Sequence, residues 1–193
     1  MNAQPDIWLV RHGATEWSDE LRHTSRTDLP LTAEGQRQGA ALFRPLDRQQ
    51  FALVLTSPRL RARETACLAG FADAVVEDGL VEWDYGEYEG LTTDQIHERD
   101  PDWTVFNSVV PGGETAVQVG ARAVRILDVA AEADGPVLLF AHGHFLRVLT
   151  AVALELGPRA GARFVLDPAT ISVIGTERTT RALTRWNESV TWP

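Results

Sequence analysis

Lysine is missing altogether: all 18 basic residues are arginine, set against 27 acidic ones, for a net charge of -9. So acidic a chain has no overall field with which to gather nucleic acid or an anionic membrane surface, and any anion site in it must be built locally. Arginine's planar fork suits such a site, although a biased composition explains the absence of lysine more simply. Cys67 is the single cysteine, so no internal disulfide can form. The residues before Ile7 lack the charged start and long apolar run of a signal peptide, and no stretch approaches the ~18 apolar residues of a spanning helix. The expectation is a cytoplasmic protein with neither nucleic-acid nor membrane partners. Oligomeric state is not legible, and a homodimer stays open.

The 193 residues, 44% of them hydrophobic, are enough for one domain with its own core, taken as 1–193. Ile7 to Val10 reads as a buried strand ending at Arg11-His12-Gly13. Thr32 is the expected N-cap of a helix with Ala40, Phe43 and Leu46 on or near one face. Phe51 to Thr56 is a second strand, and Ser57-Pro58 is expected to start a helix with proline in its first turn. Ala74 to Val76 reads as a short strand and Leu80 to Gly90 as a loop. Between Glu114 and Ala133 the spacing of Val117, Ala121, Val124 and Leu127 is helical. Val137 to Ala141 is another apolar strand, ending at His142-Gly143-His144, with a helix expected from about Phe145 to Leu156. Ile171 to Gly175 and Ala182 to Trp186 read as closing strands.

Strands alternating with helices imply an α/β fold, a mostly parallel sheet with helices on both faces. Ligands of such sheets bind beyond the carboxyl ends of the strands. Three strands here end in reactive or charged segments, at Arg11-His12-Gly13, Ser57-Pro58-Arg59 and His142-Gly143-His144, which points to one shared site.

Arg-His-Gly alone carries little, since a loop histidine bonded to backbone explains it as well. Three more segments stand beside it: Arg61 in Ser57-Pro58-Arg59-Leu60-Arg61-Ala62-Arg63-Glu64-Thr65-Ala66, Glu82 in Leu80-Val81-Glu82-Trp83-Asp84-Tyr85-Gly86, and His142 in Ala141-His142-Gly143-His144. Together and in this order they resemble the histidine phosphatase superfamily, also called phosphoglycerate mutase-like, from about Ile7 to Gly175. Within that family the chain looks most like the small bacterial acid phosphatases, through Trp83-Asp84-Tyr85-Gly86, Tyr88-Glu89-Gly90-Leu91-Thr92 and Ala141-His142-Gly143-His144-Phe145.

The resemblance implies a phosphomonoesterase acting on a small phosphorylated substrate. His12 would be the nucleophile, and Arg11, Arg61 and His142 would surround the phosphoryl oxygens. Glu82 would be the general acid, its pKa raised by packing beside Trp83 and by the phosphate charge. Glu87 and Glu89 fit solvated surface positions. The loop from Thr15 to Asp28 would line the entrance. Ser18 stands where the mutases carry asparagine, Arg22 and Thr24 align with substrate-contacting positions, and Ser25 replaces a frequent glycine and would narrow the pocket. His23 and Arg26 would reach the distal part of the substrate, with Gly143 and His144 on the substrate side. His142 and His144 also have the alternating spacing of a metal pair. Further ligands at metal spacing are lacking and Arg11 and Arg61 would repel a cation, so neither metal nor cofactor is expected. A mutase, a sugar bisphosphatase and a non-catalytic phosphate-binding module are the alternatives. Glu82 and His142 lie only 60 positions apart, short of the insertion that larger mutases carry, and this favours hydrolysis.

Overall fold

The computed structural model describes residues 4–190. One six-stranded sheet organises them: β1 (Ile7–Arg11), β2 (Leu53–Thr56), β3 (Val75–Val76), β4 (Val137–Ala141), β5 (Thr170–Glu177) and β6 (Thr180–Ser189), in the spatial order β3-β2-β4-β1-β5-β6. The β1–β4, β2–β4 and β2–β3 pairs are parallel; β5 runs against both β1 and β6. The helices are α1 (Glu16–Asp19), α2 (Ala33–Ala41), α3 (Phe43–Asp47), α4 (Leu60–Leu68), α5 (Thr93–His97), α6 (Ala116–Ala131) and α7 (Gly143–Ala153). The helix ends agree with the expected chemistry: Thr32 Oγ1 accepts from Gly35 N at 3.1 Å, and Thr115 and Gln118 form a reciprocal capping box on α6.

Why the sheet needs cover on both sides is plain in β4, which is buried along its whole length. Val137, Leu139 and Ala141 pack with Val119, Ile126, Phe145 and Leu149 of α6 and α7. Leu138 and Phe140 point the other way, into a second core with Leu42, Leu46 and Ala66. The chain after β1 therefore feeds one face and the helix after β4 feeds the other. Between these neighbouring strands the connections part, which opens a crevice at their carboxyl ends. No helix among the described residues is long and apolar enough to cross a membrane.

Several expectations are corrected. The first long helix breaks at Leu42 into α2 and α3, so Leu42 and Leu46 are buried while Phe43 is 45% exposed. α6 forms where expected but turns its other side inward. Ala116, Val119, Ala123, Ile126 and Ala130 are buried, and Val117 stands 71% exposed, because the sheet, not the apolar spacing alone, selects the face. Pro58 does not open α4, whose N-cap is Arg59. Ser57 continues the sheet ladder instead, donating from its N to Phe140 O at 2.9 Å. α7 begins two residues early, at Gly143, and ends three early, at Ala153. The segment read as a loop carries short 3-10 turns at Asp78–Leu80 and Gly86–Tyr88.

Candidate active site

The site starts where the ladder between β1 and β4 runs out. His12 N still donates to Ala141 O at 3.0 Å, which delivers the His12 ring to the mouth of the crevice. Its Nδ1 lies 2.8 Å from Gly13 O. A carbonyl only accepts, so Nδ1 carries the proton and Nε2 keeps a free lone pair. Burial holds the imidazole well below its ordinary pKa, and the charges of Arg61 and Arg11 push the same way, so the ring is neutral. Gly13 must be glycine: a Cβ there would come within 2.5 Å of Gly35 O. Its N donates to Thr65 Oγ1 at 3.0 Å, and that hydroxyl donates to Arg61 O at 2.7 Å, which ties the loop to α4.

Around His12 stand three buried donors with no protein acceptor: Arg11 Nε, Arg61 Nε and His142 Nδ1. The rest of each group is spent on fixing it. Arg11 Nη1 donates to Leu166 O at 2.5 Å. Arg61 is fully buried and donates to the carbonyls of Thr27, Thr24 and Ser25 at 3.1, 3.3 and 3.3 Å. His142 Nε2 is 2.7 Å from Ser57 Oγ, which also accepts from Arg59 N at 3.3 Å. That hydroxyl meets no other acceptor among the described residues, so its proton goes to Nε2, leaving Nδ1–H as the donor. The rings of His12 and His142 are 5.1 Å apart. One such orphaned donor costs about 1–3 kcal/mol. Three gathered about one bare ring nitrogen make an arrangement that a tetrahedral oxyanion satisfies.

Glu82 is placed by a different device. His142 occupies the N-cap of α7 but makes no side-chain cap. Glu82 supplies that cap from a distance, its Oε2 accepting from His144 N at 3.0 Å and its Oε1 from Phe145 N at 2.8 Å. Oε1 also accepts from Trp83 N at 2.8 Å. The Trp83 indole donates to Glu114 O at 2.8 Å and meets Phe106 edge-on at 5.7 Å. The Glu82 backbone is itself held. Arg122 grips Glu114 through both carboxylate oxygens and donates to the carbonyls of Gly79, Val81 and Glu82. The Trp83-Asp84-Tyr85-Gly86 turn needs its glycine, which sits at φ 49° with Pro111 O 2.1 Å from where a Cβ would be.

Above the anion donors opens a cavity of about 440 Å³. Arg11, His12, Glu82, Ser18, Arg22, His23, Thr24, Gly143 and His144 line it, whereas Arg61 and His142 lie behind that lining. Several loop residues have other work than expected. Ser18 closes a capping box with Thr15, its hydroxyl donating to Thr15 O and accepting from Thr15 N. Thr24 Oγ1 donates to Arg22 O. Arg22 pairs with Glu20 at 2.7 Å. Ser25 is not on the wall: its carbonyl receives Arg61 and its N donates to Glu89. Glu89, expected in solvent, thus anchors the loop through Ser25 N and Thr27 N. Arg26 is tied to Asp84 and stays outside the cavity. His23 is pushed down to about 4 by burial and packs tilted against Tyr85, with ring centroids 4.7 Å apart. Sequence reasoning missed Tyr85, Thr92, Thr93, Asp94 and Arg147 as wall residues. The signals available were the Thr92–Gln95 capping box and the placement of Arg147 three residues after His144 on one helix face.

A doubly covered α/β sheet whose strand ends present a neutral histidine among arginines is the layout of an enzyme that transfers phosphoryl groups. The chain belongs to the histidine phosphatase superfamily (branch 1), whose model matches residues 7–189, and it is a phosphatase. It is 40% identical to an acid phosphatase of Mycobacterium tuberculosis, over 92% of this chain and 89% of that one. It is 37% identical to a sedoheptulose 1,7-bisphosphatase of Saccharomyces cerevisiae, over 79% of this chain and 69% of the relative. Among solved structures, the product of open reading frame Rv3214 of Mycobacterium tuberculosis superposes with a TM-score of 0.93, at 37% identity over 97% and 99% of the two chains. A mycobacterial glucosyl-3-phosphoglycerate phosphatase complexed with VO3 superposes with a TM-score of 0.85, at 26% identity over 96% and 100%.

Proposed function

We propose that the protein hydrolyses a small phosphorylated metabolite in two steps through His12. Nε2 attacks phosphorus, the P–O ester bond breaks, and the leaving oxygen takes a proton from the Glu82 carboxyl. A water then attacks the phosphohistidine, gives its proton back to Glu82 and releases inorganic phosphate. During both steps the three equatorial oxygens are met by Arg11, Arg61 and His142, a term worth about 3–4 kcal/mol for one well-placed donor. Glu82 Oε2 accepts only one bond, so it is the carboxylate oxygen with a lone pair left for the travelling proton. The observation that carries the reading is the Nδ1–Gly13 O bond, which aims a bare Nε2 into the cluster of orphaned donors. The test is His12→Ala. It is expected to abolish phosphate release, and label from ³²P-substrate trapped by acid-labile, base-stable linkage in the wild type should vanish with it. Turnover above about one percent of wild type would overturn the assignment.

One observation favours a narrower reading, a sugar bisphosphate as substrate. Arg147 lines the cavity, lies over Phe106 at 4.6 Å and donates to Gly161 O and Ala162 O, with no carboxylate partner among the described residues. A second phosphoryl group would supply that partner. Under this reading Arg147→Met raises KM for sedoheptulose and fructose bisphosphates and leaves the monophosphates nearly as they were; an equal effect on both rejects it.

A further inference from the structure

Beside the phosphoryl site lies a pair that the hydrolysis scheme does not use. Tyr85 and His144 belong to segments 59 positions apart, yet Tyr85 Oη is 2.6 Å from His144 Nδ1. Tyr85 is only 2% exposed, burial together with the nearby Glu82 charge keeps its phenol protonated, and its Oη meets no other acceptor among the described residues, so the hydroxyl gives its proton to His144 Nδ1. Burial and Arg147 hold the His144 imidazole neutral. A neutral imidazole that accepts at Nδ1 carries its proton on Nε2. That nitrogen has no protein partner, and the ring lines the cavity. Phe106, Tyr85 and His23 pack around it with centroids 5.3, 5.8 and 5.9 Å away, which fixes its orientation. The backbone N of the same residue binds Glu82 Oε2, and both residues line the same cavity.

We propose that Tyr85 is a positioning residue that fixes the Nε2–H tautomer of His144, and that this N–H selects phosphate esters bearing a hydrogen-bond acceptor, such as a polyol hydroxyl oxygen, on the leaving-group side. The inference rests on the phosphatase reading for its substrate, whereas the tautomer does not depend on turnover. Its ligand chemistry is that of an oxygen that accepts, since a fixed neutral donor gives nothing to an alkyl chain and leaves a buried N–H without an acceptor when one binds.

The experiment has two arms on the full chain. Long-range ¹H–¹⁵N correlation of histidine-labelled protein reads the tautomer, with His144→Gln used to assign the ring. The wild type should show His144 protonated at Nε2 and bare at Nδ1, and Tyr85→Phe should move the ring toward the other tautomer. In the second arm, kcat/KM is compared for glycerol 3-phosphate and propyl phosphate, which share a primary alkoxide leaving group and differ in hydroxyls. The wild type should prefer the glycerol ester. Tyr85→Phe and His144→Phe should narrow that preference about three- to tenfold, mainly through KM, as expected for one hydrogen bond. His144→Gln keeps a donor near the Nε2 position and should retain most of it. A wild-type proton on Nδ1, a tautomer indifferent to Tyr85→Phe, or a preference that His144→Phe leaves as wide as before overturns the proposal. An active wild type with the wrong tautomer sinks this inference alone. A wild type that releases no phosphate from any ester sinks the phosphatase reading, while the tautomer is still decided.

Discussion

Replacing Glu82 by glutamine looks from the sequence like removal of a proton and little else, but the structure makes it two perturbations at once. An amide keeps one carbonyl oxygen, which can sit at Oε1 and hold Trp83 N and Phe145 N. Its NH2 then faces His144 N–H, where Oε2 accepted at 3.0 Å. One buried N–H left without an acceptor costs about 1–3 kcal/mol. Loss of the negative charge from the N-terminus of α7 adds about 0.3–2 kcal/mol. At about 2–4 °C per kcal/mol for a chain of this size, melting should fall by about 3–20 °C. The catalytic loss has its own signature. An alkoxide needs the proton and a nitrophenolate does not, so kcat/KM should drop about 10²–10⁴-fold on alkyl phosphates and far less on p-nitrophenyl phosphate. Glu82 is also the strongest negative charge acting on Arg11 and Arg61. Its neutralisation should therefore tighten the binding of inorganic phosphate, read as stronger product inhibition. Differential calorimetry and initial rates on the two esters decide the matter. Equal catalytic losses on both would refute the acid role, and an unchanged melting temperature would refute the capping role.

Three further outcomes are expected. His12, His23, His142 and His144 all have pKa values lowered chiefly by burial, so below about pH 6.5 the unfolded chain takes up protons that the native state refuses. Stability should thus decline from pH 6.5 to 5, by up to about 1.4 kcal/mol per pH unit for each imidazole, while His12 stays neutral and nucleophilic in acid; a urea midpoint that is flat over this range contradicts it. Arg122→Ala breaks a largely buried ion pair and frees three carbonyls, and should cost about 3–5 kcal/mol in denaturant unfolding together with a fall in kcat; a change under about 1 kcal/mol would show that Glu114 and Arg122 do not hold the Glu82 segment. Incubation with EDTA should leave activity intact, since arginines take the place of a metal clamp on phosphate; loss restored by a divalent ion would return His142 and His144 to the role of ligands.

Residues whose placement follows from their own strand were legible in the sequence. His12 and His142 each directly follow a strand built on a short apolar run, and the end of a buried strand in an α/β sheet is where such residues meet. Glu82 was legible only through resemblance, because no local pattern says that a carboxylate will cap a helix 60 residues downstream. The face of α6 was misjudged for a related reason: Val117 and Ala123 are both apolar, and only the position of the sheet decides which of them is covered. Glu89 was read as a surface charge since its partners are backbone N–H groups of a loop 62 and 64 residues earlier, which carry no side-chain signature. Tyr85 and His144 fall in the same class, each unremarkable until the turn at Gly86 and the start of α7 bring them together.

The borrowed cap on α7 has an evolutionary consequence. A helix starting after a strand would normally carry Ser, Thr, Asp or Asn at its N-cap. Here that position holds His142, whose ring is committed to Ser57 on one side and to the anion cluster on the other. A histidine ring so committed cannot also cap the helix. Delegating the cap to Glu82 resolves the conflict and also binds the fate of the acid to the integrity of α7. A descendant of this chain that lost Glu82 would shed activity and helix stability in one step. The cheapest repair of the fold, Asp or Ser at position 142, would then remove the second histidine. Loss of catalysis in this lineage should therefore leave paired scars at 82 and 142, and a chain that keeps one without the other would mark a different solution to the start of α7.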